Sequence, residues 1–420
     1  MLFSRHFKIF ESSLLLFALV SPISSYSVGS SSLKVIYVAF IFVLIGLLNY
    51  KGNFKPISIH AEVILYIFLF SSIYAFLIGL FFIGGYMGFT EFVGIIFSLI
   101  LIIILNRTVH NLHILNLFLK ALFITNILSD LIVFYYLLRG NPIIFRLSKD
   151  GIRLVGFYSN ANFLAASHLL LIPYALYLIV NSKRKNTKLI YLFSLFVLIS
   201  VLIMAQSRSA FIGLIISFLI LIFRFHFLKI KHIFKVKYVL ILGIFLFSFI
   251  FTFLFIINKY DIKLARFQSN PSAGSVSVYD INGAYIKKDR EYLLYNGLQA
   301  ILNYPLGLGY SEQYKVMGNL TGIYKISHNA NIQLIVTYGI FFGLFWNFIL
   351  IYLFYYSDKF IRKKRLTLHN LSPYLLWGYM SYSVYNLGHD SSNWVYFWIY
   401  SFLLFITVKL EYSESLPIEQ

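Results

Sequence analysis

Four basic residues, far apart in the chain, share one kind of setting: each borders an apolar run or opens a helical stretch. Arg208 lies in Gln206-Ser207-Arg208-Ser209, a polar break too short to be a loop between two apolar runs. Arg290 follows Asp289 at the head of an amphipathic segment, and His328 sits in Ser327-His328-Asn329 just before another apolar run. Arg153 belongs to the connection 139–158, which also carries Arg139, Arg146 and Lys149. Guanidinium forks bind phosphate oxygens bidentately, and helix N-termini add backbone donors and the positive end of the dipole. The same dipole favours neutral imidazole over imidazolium, which suits His328 to accept a proton. Cationic forks beside a neutral base point to a lipid-linked phosphate or diphosphate as substrate. Each residue also has a plainer role: Arg208 snorkelling to headgroups, Arg290 on a surface, His328 capping a helix, 139–158 touching anionic lipid.

The rest of the sequence narrows the chemistry. The outer-face acids Asp150, Asp261, Asp280, Asp289, Glu291, Glu312 and Asp390 are dispersed, with no Asp-x-Asp among them. A divalent cation needs clustered carboxylates, so no metal is expected. The chain has no P-loop, no Gly-x-Ser-x-Gly elbow and no His-Glu-x-x-His, so no nucleotide cofactor is expected either. With no cysteine, disulfides and thiol catalysis are excluded.

The elements that must hold these residues are membrane helices. Apolar types make up 60% of the 420 residues, charged types 12%, and the mean hydropathy is +0.80. Soluble globules carry about 25% charged residues. Apolar runs at 10–28, 33–50, 61–83, 87–105, 112–138, 159–181, 189–206, 209–227, 237–257, 330–357, 371–387 and 392–409 predict an all-α fold of about twelve transmembrane helices. The first run, preceded by Arg5 and Lys8, reads as an uncleaved signal-anchor. With the N-terminus in the cytoplasm, twenty Lys and Arg fall in short inner segments. The outside keeps fourteen, eight of them in one long loop that barely counts under the positive-inside rule. Both termini are therefore expected inside, and the net charge of +20 needs no nucleic-acid partner.

Three regions follow: helices 1–9 over residues 1–257, an exported loop or lid over 258–329, and helices 10–12 with a tail over 330–420. Within the loop, Leu294, Leu298, Ile301 and Leu302 follow the spacing of an amphipathic helix from Asp289 to Tyr304, on which a small exported lid is built. Pro305, Gly307 and Gly309 end that helix, and the Ser-, Gly- and Asn-rich stretch 269–283 reads as a flexible flap. Tyr285, Tyr292, Tyr295, Tyr304, Tyr310, Tyr314 and Tyr324 are candidates to stack on sugar rings.

The motifs in order are Arg153-Leu-Val-Gly156-Phe-Tyr-Ser-Asn160-Ala-Asn162, Ser207-Arg208-Ser209-Ala210, Asn303-Tyr-Pro305-Leu-Gly307-Leu-Gly309, and His328-Asn329 ahead of Gly339-Ile-Phe-Phe-Gly343. This chain resembles the O-antigen polymerase and O-antigen ligase superfamily of the Gram-negative inner membrane. The resemblance implies a GT-C-like architecture and a metal-independent, inverting glycosyltransferase at the periplasmic face. Its donor would be a glycan on undecaprenyl diphosphate, with membrane lipids around it and a chain-length regulator as a possible partner. It implies His328 as the base on the acceptor hydroxyl, and Arg208 and Arg290, with Arg153, on the diphosphate. Ala161 stands where the family often has Pro, and Ile326 where many ligases have a second His. The latter favours a polymerase, whose acceptor is another lipid-linked repeat unit, over a ligase, whose acceptor is lipid A core. A flippase for the same lipid-linked sugar would share the span number, yet it needs no long exported lid and would show an internal repeat.

Overall fold

The computed structural model describes residues 2–20, 35–50, 54–83, 89–139, 147–148, 151–152, 154–158, 161–225, 276–279, 285–288, 290–310, 313–322, 326–363, 369–388 and 395–414. The predicted runs are helical wherever they are described. They form α1 (Leu2–Leu19), α2 (Val35–Leu48), α3 (Ile59–Ile78, continuing as a π-helical turn Gly79–Ile83), α4 (Phe89–Thr108) and α5 (Leu112–Leu138). After these come α6 (Ala161–Asn181), α7 (Lys185–Met204) and α8 (Arg208–Phe225). The segment between the ninth and tenth predicted runs contributes α9 (Arg290–Asn303) and α10 (Gln313–Thr321). The bundle closes with α11 (Ala330–Lys363), α12 (Ser372–Asn386) and α13 (Val395–Glu414). The run 237–257 lies outside the described residues. Among the described residues, five helices (α3, α5, α6, α7 and α11) are long and apolar enough to cross a membrane, and four shorter apolar helices accompany them. The protein is an all-helical, polytopic membrane protein.

Two short antiparallel hairpins interrupt the helices. Leu147–Ser148 pairs with Gly151–Ile152, and Val276–Tyr279 pairs with Tyr285–Lys288. The second places a strand within the stretch 269–283 read as a flap, where Val276-Ser-Val278-Tyr279 alternates β-branched and polar residues as a strand does; the rest of that stretch lies outside the described residues.

Packing follows small residues. Gly213 of α8 lies so close to the Ser381 carbonyl of α12 that a Cβ would collide with it. Four residues on, the hydroxyls of Ser217 and Ser381 meet at 2.5 Å. α12 also sets Gly378 against Leu169 and Leu170 of α6. Close backbone approach through small residues is the usual route to helix association in lipid. α12 is thus the central post between α6 and α8.

Hydrogen bonds sort the helix ends into two sets. At one end Asn106 bonds the backbone of Ser58 in both directions, His369 Nδ1 meets Asn181 Oδ1 at 3.3 Å, and Glu411 accepts from the backbone of Leu371. At the other, Leu154 N–H donates to Met204 O and the Asn329 amide donates to Leu387 O. The pairings agree with alternating up-and-down spans and put every described candidate residue at the second end.

Candidate functional site

The α7–α8 break is a single tight corner. Gln206 is buried with φ of 51°, a left-handed conformation unusual outside glycine, and Ser207 O accepts from Phe211 N to start α8. Arg208 is the first residue of α8 and is exposed. It therefore stands at a helix N-terminus whose first N–H groups lack intrahelical acceptors. The turn 154–158 is bonded to this corner through Leu154 and Met204, 3.1 Å. Gly156 takes φ of 60° there, and the Tyr158 hydroxyl donates to Asn126 Oδ1 at 2.5 Å. Arg153 itself, like Asn160, lies outside the described residues.

His328 lies half-buried at the mouth of α11. Asn329, its neighbour, caps that helix: its Oδ1 accepts from the backbone of Asn331 at 3.0 Å and of Ile332 at 3.2 Å. The Asn329 Nδ2 then reaches Leu387 O at the end of α12, 3.2 Å. The capping role considered for His328 is thus filled by its neighbour.

The same α12 terminus receives α8. With Gly213 against Ser381 and Tyr385, and the two helices antiparallel, Arg208 comes level with the residues that follow Asn386. Arg208 and His328 therefore flank one helix end. α9 lies over it: Gly297 packs on Ile332 and Ser327, one residue before His328, with no room for a Cβ. Arg290 opens α9 two turns upstream; its side chain lies outside the described set.

α9 is the amphipathic helix its spacing predicts, and it turns a mixed face inward. Leu293, Asn296, Gly297 and Ala300 are buried, whereas Leu294, Leu298 and Leu302 are exposed and Ile301 is half-buried. Apolar periodicity marks the side facing an apolar environment, and here that side points away from the protein. The structure corrects the expectation for Tyr310. It is buried, its hydroxyl 2.5 Å from that of Tyr338, so it belongs to the core rather than to a sugar platform. Tyr295 and Tyr314 are exposed and Tyr304 half-buried.

Pro305 to Tyr310 do more than end α9. α11 is broken at Gly339, with φ of 79° and ψ of 172°. The lid segment fills the break: Leu308 N donates to Val336 O at 2.7 Å, Gly309 N to Thr337 O at 3.0 Å, and Ile340 N to Pro305 O at 2.9 Å. Tyr310 N donates to Ala75 O of α3, and the Tyr74 hydroxyl to Leu306 O. Gly307 and Gly309 have φ of 94° and 60°, and a Cβ on either would strike backbone of α11 or α3. Gln313 donates to Gly309 O and Thr337 Oγ1 and accepts from Gln333, joining α10 to the same seam.

One polar pair was not singled out from the sequence. Asp130 of α5 and His168 of α6 are both buried, with Nε2 and Oδ2 2.9 Å apart. His168 Nδ1 is 2.7 Å from Leu164 O and 3.0 Å from Ser167 Oγ. The available signal was the presence of ionisable residues inside apolar runs, which usually marks a pairing or functional site.

The class is a helical membrane protein in which the segment after α9 is locked into a broken span, with a cation and a histidine at one helix end. Residues 193–346 match the sequence model of the O-antigen ligase family, a span running from α7 past the α11 break. The match contains Arg208, Arg290 and His328 and supports the O-antigen polymerase and ligase superfamily; Arg153 falls outside it. No curated protein matches the chain.

Proposed function

We propose that this protein is an O-antigen polymerase of the bacterial inner membrane, joining undecaprenyl-diphosphate-linked repeat units at the periplasmic face. The observation that supports the reading is that Arg208 and the Ser327–Asn329 segment both lie toward the end of α12, under a helix opened by Arg290. In the reaction a hydroxyl of the acceptor sugar attacks the anomeric carbon from the face opposite the diphosphate. His328 takes the hydroxyl proton while the bond from that carbon to the diphosphate oxygen breaks. Arg208 and Arg290, with Arg153, neutralise the charge that develops on the departing undecaprenyl diphosphate, the group to which electrostatic catalysis applies. Inversion at the anomeric carbon follows from the single displacement.

The ligase reading is supported by the description of the matched family. Ile326, where many ligases have a second His, supports the polymerase. Purified protein in detergent, given lipid-linked repeat units with and without lipid A core, separates the two. Lengthened lipid-linked glycan without added core is expected. Transfer only to core would establish the ligase, and absence of turnover with transport in sealed vesicles would establish a flippase.

A further inference from the structure

We infer that α9 lies in the outer-leaflet surface, with Leu294, Leu298 and Leu302 seated among lipid acyl chains. The argument rests on how its side chains divide. At about 100° per residue, positions 294, 298 and 302 form one row, with Tyr295 beside it. Those four side chains are exposed, Leu302 the most at 72%. On the far side, Leu293, Asn296, Gly297 and Ala300 are buried against the protein. Between the two, on the remaining edge, come the half-buried Gln299 and the exposed Asn303. The helix thus has three sectors: one for protein, one apolar and one polar. A helix bathed in water would place its leucines inward and its asparagine outward. Here Asn296 is inward and the leucines are outward, the arrangement of a helix whose apolar side meets lipid and whose polar edge meets water.

The apolar row continues onto surfaces that already face lipid. Leu306, 64% exposed, follows it directly, and its carbonyl accepts from Tyr74 of α3. Tyr74 and the exposed Phe70 pack on Phe342 of α11, next to Phe341, which is 78% exposed. These aromatic residues lie on two spans of the bundle. The row on α9 extends their lipid-facing surface around the corner made by Pro305.

The absence of cysteine allows single-site labelling. Leu294→Cys, Leu298→Cys, Leu302→Cys and Asn303→Cys proteins, each carrying a nitroxide, would be reconstituted in phosphatidylglycerol–phosphatidylethanolamine vesicles. Collision with oxygen, which concentrates in lipid, is compared with collision with a neutral nickel chelate, which stays in water. The three leucine positions should favour oxygen severalfold over the Asn303 position, which should favour nickel. Preference for nickel at the leucine positions would overturn the inference, because the row would then face water. Low collision with both reagents would overturn it too, because protein would then cover the row. A mutation-free measurement accompanies this one: wild-type protein in vesicles containing diazirine-acyl lipids is photolysed and digested with trypsin. Adducts are expected in the peptide Glu291–Lys315 and on α11, and their absence from that peptide while α11 is labelled would refute the placement.

Discussion

At the scale of single residues, the two functions of the segment 328–329 can be pulled apart. Asn329 caps α11 and ties it to α12, so Asn329→Ala should lower stability by about 1 kcal/mol, seen as a lower Tm in detergent. His328→Asn leaves that cap intact and removes the imidazole proposed as the base. It should lose about 10²–10⁴ in turnover while binding donor normally. Robust polymer formation by His328→Asn would end the assignment. At Arg208, Lys keeps the charge but not the planar fork, so Arg208→Lys should remain severely impaired in glycan lengthening, as should Arg290→Ala. The buried Asp130–His168 pair behaves differently. Removing one partner strands the other in the bundle, and His168→Leu or Asp130→Leu should each destabilise by about 3–5 kcal/mol. The double variant should recover much of that loss in a thermal melt. A double variant no better than the singles would show that the pair contributes through packing alone.

At the scale of elements, helices were readable because long apolar runs have few other folded forms in a membrane. The Arg208 corner was readable for the same reason: a polar break of a few residues between two spans must be a turn. What could not be read was which side of α9 faces the protein. Leucine spacing reports an apolar environment, and in a membrane protein lipid supplies one as well as a core does. Nor could the sequence show that Gly309 meets Ala75 and Thr337, because those partners lie far away along the chain. Gly307 and Gly309 were legible as helix terminators, but their need for positive φ comes from the α11 break. Gly309→Ala should therefore unseat the lid without unfolding the spans. Limited proteolysis in detergent should cut between Arg290 and Lys325 much faster than in wild type, with activity lost in parallel. Unchanged protection would mean that α3 and α11 can yield to a methyl group.

For the whole molecule, charge counting and hydrogen bonding give the same partition of helix ends. The pairings Asn106–Ser58 and Asn181–His369 join segments that the basic residues assign to the inside. Leu154–Met204 and Asn329–Leu387 join those assigned outside. A phosphatase reporter fused near Ser275 should accordingly be active outside, and one near Lys363 inactive. The reverse pattern would invert the bundle and remove the proposed site from the periplasm.

The seam between the lid and α11 also fixes an order of events during synthesis. Pro305, Leu308 and Gly309 leave the ribosome before Val336, Thr337 and Ile340, to which they bond across the helix break. A nascent α11 that enters the bilayer before the loop has been translocated carries, at its break, peptide groups with nothing to bond, at several kcal/mol each. The lid thus acts as a template for the span that follows it. Delaying loop translocation, for instance by slowing the secretion motor, should make the α11 region transiently sensitive to cytoplasmic protease in a pulse-chase; unaltered insertion kinetics of α11 would show that the helix breaks without its template.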